Sequence, residues 1–229
     1  MKFTFLSLFP SLISGYFSDS ILKRAIDSQL IEIKIIDFRD FSTDKHKKVD
    51  NYQASGGAGL VICADILESA LHQIATPQSH IIYLTPVAKP FCNFDAKRLA
   101  QNQSHIIFIC GRYEGIDERV IEAFVDEVFC IGDYILTGGE IASLVLCDCI
   151  SRHIHGVLGN AESLQGESFE SYLLEAPIFT KNMNNTKNIA NLSIPLEYIK
   201  GNHSKIRTFK QKLAVAKTKY FRPDLYKRT

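Results

Sequence analysis

Glycine falls repeatedly where apolar runs end. Gly111 follows the run 105–110, Gly132 follows 126–131, and the pair Gly138-Gly139 comes shortly after, while the run 79–84 ends at Thr85-Pro86. If those runs are strands, these breaks mark the carboxyl ends of successive strands, the edge at which parallel α/β sheets bind ligands. Glycine lets a backbone approach a bound group closely. One such residue means only a turn; three such loops at one edge point to a ligand cleft.

The motifs that would name the ligand are missing. No G-x-x-x-x-G-K-[ST] occurs, which argues against a P-loop ATPase, and no G-x-G-x-x-G follows a strand, which argues against a dinucleotide site. No G-x-S-x-G nucleophile elbow is present either. Six cysteines (Cys63, Cys92, Cys110, Cys130, Cys147, Cys149) form no C-x-x-C pair and sit mostly in apolar runs. They read as buried, reduced thiols of a cytosolic protein, and zinc is disfavoured. His153-x-His155 is too isolated to be a metal site.

Charge points to a partner. Residues 1–176 hold 14 Lys/Arg against 23 Asp/Glu, a net −9, whereas residues 177–229 hold 12 against 2, a net +10. A basic tail on an acidic body is one way to grip a polyanion by neutralising phosphates; a solubilising tail is the alternative. Residues 1–17 are apolar after Lys2, but Pro10 interrupts them and no A-x-A cleavage site follows, so export is not expected. No apolar run reaches the roughly 18 residues of a membrane span.

The elements that must position these loops follow from periodicity. Strands are expected over residues 2–9, 31–38, 79–84, 105–110 and 126–131. Helices are expected over 64–74, 95–101, 116–123 and 140–152, with Ile13, Phe17, Ile21, Leu22 and Ile26 at helical spacing before them. Strands alternating with helices predict an α/β domain with a mainly parallel sheet. Residues 39–59 read as a long polar loop, the kind that carries function or is disordered. Beyond 155 periodicity fades; residues 181–191 are rich in Asn and Lys, and Asn202 can cap a helix from 203 to 220. Spacing alone therefore reaches an α/β ligand-binding enzyme with a basic, RNA-directed tail.

Several motifs carry a resemblance. They are Cys110-Gly111-Arg112-Tyr113-Glu114-Gly115-Ile116-Asp117-Glu118-Arg119-Val120 and Ile131-Gly132-Asp133-Tyr134-Ile135-Leu136-Thr137-Gly138-Gly139-Glu140. With them come Leu6-Ser7-Leu8-Phe9-Pro10, Arg39-Asp40-Phe41, Ser151-Arg152, Gly156-Val157-Leu158-Gly159 and Gly201-Asn202-His203. In this order, over nearly the whole chain, they resemble the TrmD family of the SPOUT superfamily. The resemblance implies S-adenosylmethionine-dependent methylation of N1 of guanine 37, just 3′ of the anticodon in tRNA. It also implies a SPOUT-type parallel sheet with a C-terminal trefoil knot, plus a small helical C-terminal domain.

Three regions are expected: residues 1–155 as the S-adenosylmethionine-binding catalytic domain, 156–176 as a linker, and 177–229 as the basic tRNA-binding domain. The partners implied are the tRNA anticodon arm and a second copy, in a cytoplasmic homodimer with shared active sites and no membrane association. By the same resemblance, the methyl donor contacts Tyr83, Leu84, Pro86, Gly111, Tyr113, Ile131, Gly132, Asp133, Tyr134, Ile135, Leu136, Gly138 and Gly139. Substrate contacts fall to Glu114, Asp50, His46 and Ser168. Arg152 is the cation that stabilises charge on guanine O6, and the linker carboxylate that removes the N1 proton is Glu167, where the family has aspartate. Phosphate contacts are expected from Lys205, Arg207, Lys210, Lys217, Lys219, Arg222 and Arg228. The family also implies Mg²⁺, for which no acid cluster in the sequence identifies ligands. Two alternatives stay open: an enzyme of this fold acting on another RNA base or ribose, and an RNA-binding protein without turnover.

Overall fold

A parallel sheet covered on both faces needs strands that are apolar almost throughout, and this chain supplies them. In the computed structural model, β1 (Lys2–Ser7) leads into α1 (Pro10–Ser14), α2 (Ser20–Asp27) and β2 (Glu32–Asp37). Next come β3 (Asp50–Tyr52), β4 (Leu60–Ile62), α3 (Ala64–Ile74), β5 (Ser79–Leu84) and α4 (Asn93–Asn102). They are followed by β6 (His105–Ile109), α5 (Glu118–Phe124), β7 (Glu127–Phe129) and α6 (Glu140–Ser151). The structure describes residues 1–160, 164, 166–180, 194–199 and 201–228, so the Asn/Lys-rich stretch 181–191 lies outside it.

Five strands form one parallel sheet in the order β2-β1-β6-β5-β7. Phe3, Phe5 and Phe108 meet Leu99, Leu146 and Ile150 on one face. Leu6, Ile107 and Ile109 meet Leu67, Leu71 and Val120 on the other. Strand β6, at the centre, is buried along its whole length. All five strand carboxyl ends point to one edge, which the loops after β5, β6 and β7 occupy.

Four expectations change. The helical spacing between Ile13 and Ile26 is divided between α1, a 3₁₀ turn at Gly15–Phe17, and α2. The break falls where the Asp19 side chain caps α2 and Ser20 takes a φ of 65°. The helix expected from 116 starts at Glu118, because Asp117 is its N-cap and Ile116 is bridged to Ile62. The long polar loop holds a 3₁₀ turn, Phe38–Phe41, and the antiparallel hairpin β3–β4. Buried Phe38, Val49 and Ile62 anchor that region to the core. The cysteines are all free thiols, but Cys92 is exposed rather than buried.

The chain divides into two compact units, Met1–Ala161 and Glu162–Thr229. Val157 still belongs to the first unit's core. The second unit contains α7 (Leu196–Ile199), α8 (His203–Phe221) and α9 (Pro223–Tyr226). Asn202 caps α8 by accepting from the Lys205 amide at 3.1 Å. Buried Thr218 of α8 accepts from the Leu174 amide at 2.8 Å, tying the segment after Gly166 to the helix. Phe179, Tyr198 and Phe209 form an aromatic cluster beside it. No helix among the described residues is long and apolar enough to cross a membrane.

The sheet core makes one clear prediction. Phe108 is fully buried and its ring packs on Phe3 and Phe5. Phe108→Ala is expected to lower unfolding free energy by about 3–5 kcal/mol, read from denaturant titration.

Candidate active site

Three loops wall a cavity of about 320 Å³ in the first unit. Tyr83, Leu84, Thr85, Pro86 and Val87 come from the end of β5 and the loop after it. Gly111, Arg112, Tyr113, Glu114 and Gly115 follow β6. Ile131, Gly132, Tyr134, Ile135, Leu136, Thr137, Gly138 and Gly139 follow β7, and Phe129, Cys130 and, from α6, Ala142 complete the lining. Of the residues expected to contact a methyl donor, all but Asp133 line this cavity; Asp133 is exposed beside it.

The last two walls touch through their backbones. The Gly139 amide donates to the Gly111 carbonyl at 2.9 Å, and Arg112 bridges Gly138. A Cβ on Gly139 would lie 2.9 Å from Cys110 Cα and 3.0 Å from the Gly111 nitrogen, so only glycine permits this approach. Buried Tyr83 lies against Gly111. Its burial pushes the phenol up, partly offset by a hydrogen bond from the Ile116 backbone.

Beyond the first wall, the chain is tied to the start of α4. The Asp95 carboxylate, on a residue only 5 % exposed, accepts from Lys89 Nζ at 2.9 Å, the Cys92 amide at 3.3 Å and Cys92 Sγ at 3.2 Å. Burial alone would push this carboxyl up, but the Lys89 and Cys92 bonds outweigh it and hold it below the usual carboxylate range.

The hairpin β3–β4 brings a further group of residues to the rim. The Glu114 amide donates to the Leu60 carbonyl at 3.0 Å, and the Ile62 amide to the Gly115 carbonyl at 3.1 Å. This places Glu114 over Gly59 of the hairpin. Tyr113 adopts a φ of 59° and lies close enough to Asp50 to feel its charge. Burial, then the Asp50 charge, pushes that phenol up. Glu114, Asp50 and Tyr113 are thus brought together. His46 stands apart, exposed on the turn before β3, its amide bonded to Asp44 at 2.7 Å.

Arg152 is the C-cap of α6, its amide bonded to the Asp148 carbonyl at 3.2 Å. Glu167 and Ser168 belong to the second unit and are half-buried. There the Ser168 hydroxyl accepts from the Glu175 amide at 3.1 Å, and Phe169 and Tyr172 both have positive φ. Of the basic residues expected to meet phosphate, Lys205, Arg207 and Lys210 are exposed on α8, while Arg222 is paired with Asp224 at 2.7 Å. Among the described residues no three His, Cys, Asp or Glu side chains gather as a metal site, and none is assigned to Mg²⁺. Sequence reasoning missed Arg112 as a cavity residue and Glu140 as its partner. The signal was a charged residue directly after a glycine in each motif.

Comparison with known proteins follows the same lines. Residues 1–228 match the family model described as tRNA (Guanine-1)-methyltransferase TrmD. The chain is 60% identical to the tRNA (guanine-N(1)-)-methyltransferase of Wolinella succinogenes, covering 100% of this chain and 95% of that one. It is 57% identical to the protein of that name from Helicobacter hepaticus, over 99% and 92% of the two chains. For the Helicobacter pylori strain 26695 protein the identity is 52%, over 99% and 98%.

The Asp95 cluster predicts a pH dependence. A carboxyl depressed on folding contributes stability that is present above its unfolded pKa, about 3.9, and lost as pH falls through the folded value. Wild type should therefore exceed Asp95→Asn by about 1–3 kcal/mol at neutral pH. That difference should shrink in acid below about pH 4 when denaturant midpoints are measured across pH.

Proposed function

The chain belongs to the TrmD family of tRNA (guanine-1)-methyltransferases, and on that premise we propose that it transfers a methyl group from S-adenosylmethionine to N1 of guanine 37 in tRNA. The observation that carries the reading is the three-walled cavity at the carboxyl edge of the sheet. Its size falls at the lower end of small-molecule sites, about 300–1,000 Å³. Leu84, Pro86, Ile131 and Leu136 suit an adenine ring and an aliphatic stem, and the loop peptides suit the polar edges of such a donor. The close backbone approach at Gly139 keeps the cradle open where a side chain would fill it. When bound, this group supplies an electrophilic methyl on a sulfonium.

The remaining work falls to side chains. Neutral guanine carries a proton on N1, so its attack requires a base. Glu167 takes that role, accepting the proton as the methyl arrives; a positioned carboxylate contributes about 10²–10⁴ in rate. Negative charge then spreads onto O6, where Arg152 stabilises it as a fixed cation. Glu114, at the cavity rim beside the hairpin, accepts from the N2 amino group of guanine, and Asp50 contacts the neighbouring base. The guanine leaves its stack to reach the site, at a cost of roughly a few kcal/mol. Lys205, Arg207 and Lys210 on exposed α8 offset that cost through phosphate contacts.

The same reading includes a homodimer with shared active sites. Leu12 and Tyr16 near α1, with Ile141 and Val145 on α6, are exposed apolar side chains on neighbouring elements, which supports burial against a second copy. It also includes the trefoil knot: after β7 at the sheet edge the chain returns past the loop of β5 to seal against the end of β6, which supports such a path. A tRNA substrate supports a cytoplasmic location.

Purified protein, S-adenosylmethionine and tRNA carrying guanine or adenine at position 37 should yield N1-methylguanine in the first case and no product in the second. Glu167→Gln should lower kcat by about 10²–10⁴, and Arg152→Ala by about 10²–10³. Both should still bind S-adenosylmethionine. Full turnover in either variant removes that residue from the mechanism, and methylation of the adenine tRNA overturns the choice of base.

A further inference from the structure

Glu140, the first residue of α6, is only 1 % exposed, and a buried carboxylate requires a cation and hydrogen bonds. Arg112 supplies the cation through two points, Nε to Oε1 at 3.0 Å and Nη2 to Oε2 at 2.9 Å. Ser7, at the end of β1, donates to Oε1 at 2.7 Å. The third arm of the guanidinium, Nη1, donates to the Thr137 carbonyl at 3.0 Å. The group lies 4.6 Å from the centre of the Phe9 ring, and Gly138 leaves the space it occupies, since a Cβ there would overlap Nε.

The Arg112–Glu140 pair thus joins four places: the end of β1 through Ser7, the loop after β6, the loop after β7 through Thr137, and the start of α6. Arg112 and Thr137 both line the cavity. A planar fork with bonds in fixed directions is what such a junction needs. A lysine ammonium would satisfy the charge of Glu140 without holding the Thr137 carbonyl at the same time. A buried pair of this kind adds little net stability compared with apolar packing, so its consequence lies in the geometry it selects.

We propose that Arg112, aimed by Glu140, is a positioning residue that sets the spacing of the two glycine-rich walls, so that the methyl-donor cavity is formed before the donor arrives. This rests on the methyl-donor reading above. If losing the fork leaves about a tenth of the molecules with competent walls, the apparent Kd for the donor rises about tenfold.

The test is a calorimetric titration of the full-length protein with S-adenosylmethionine, beside steady-state kinetics and thermal unfolding. Arg112→Lys is expected to raise both Kd and KM for S-adenosylmethionine about tenfold, with kcat at saturating donor and tRNA affinity within about twofold of wild type. The double variant Arg112→Met with Glu140→Gln leaves no buried charge without a partner; it should unfold near the wild-type temperature yet show the same weakened donor binding. Donor affinity within about twofold of wild type in both variants overturns the proposal. So does a fall in kcat with KM for the donor unchanged, or loss of the folded state in the double variant, which would assign the pair to stability alone. Failure of the wild-type protein to bind S-adenosylmethionine would instead remove the methyl-donor reading, and this inference with it.

Discussion

Where the chain passes Gly139, its backbone rests directly on the backbone of Cys110 and Gly111, with no side chain between them. That contact sets the distance between the loop after β6 and the loop after β7. It also fixes where α6 begins, and so where Glu140 enters the interior. From there Arg112 is drawn under the second loop, and Tyr113 and Glu114, next along the chain, are turned out to the rim. The sheet beneath supplies the rigidity. Its central strand is buried from end to end, so the loops hang from a support that has little freedom to adjust.

The two units handle charge in opposite ways. In the first, three carboxylates that are buried or half-buried are paired: Glu140 with Arg112, Asp95 with Lys89, and Glu127 with Arg98. Arg98 and His80 together hold the Glu127 carboxyl below its usual range against the upward pull of burial. Such pairs specify where loops and edges sit more than they stabilise. In the second unit, Lys205, Arg207 and Lys210 stand exposed, where a surface pair would contribute little anyway and a phosphate contact can release counterions.

The segment around Glu167 shows what a longer carboxylate has to work with. Phe169 and Tyr172 bend the backbone through positive φ, and Ser168 uses its hydroxyl to accept the Glu175 amide. The Leu174 amide is held by Thr218 of α8. Glu167, the proposed base, is therefore carried on a bonded turn, from which a side chain one methylene longer than aspartate has the greater reach. In this setting Ser168 serves the turn itself, so a substrate contact through its hydroxyl shares an oxygen already engaged by the backbone.

Much of this was legible along the chain. The expected limits of α3 and β5 coincide with the observed ones, and the glycines at the cavity were visible as breaks after apolar runs. Both follow from local rules, since the periodicity of burial and the flexibility of glycine are properties of neighbouring residues. The hairpin β3–β4 was not legible. Its strands are three residues long, and it is held by hydrogen bonds to the loop around Glu114 and by Phe38, Val49 and Ile62 entering the core. Nor was the joining of Ser7, Arg112 and Glu140. These residues are far apart along the chain, and only closure of the sheet brings their side chains within bonding distance. Residue types and spacing determined which loops wall the cavity; the packing of strands distant in sequence decided how those loops are aimed, because the energy of a buried charge depends on neighbours that local sequence does not specify.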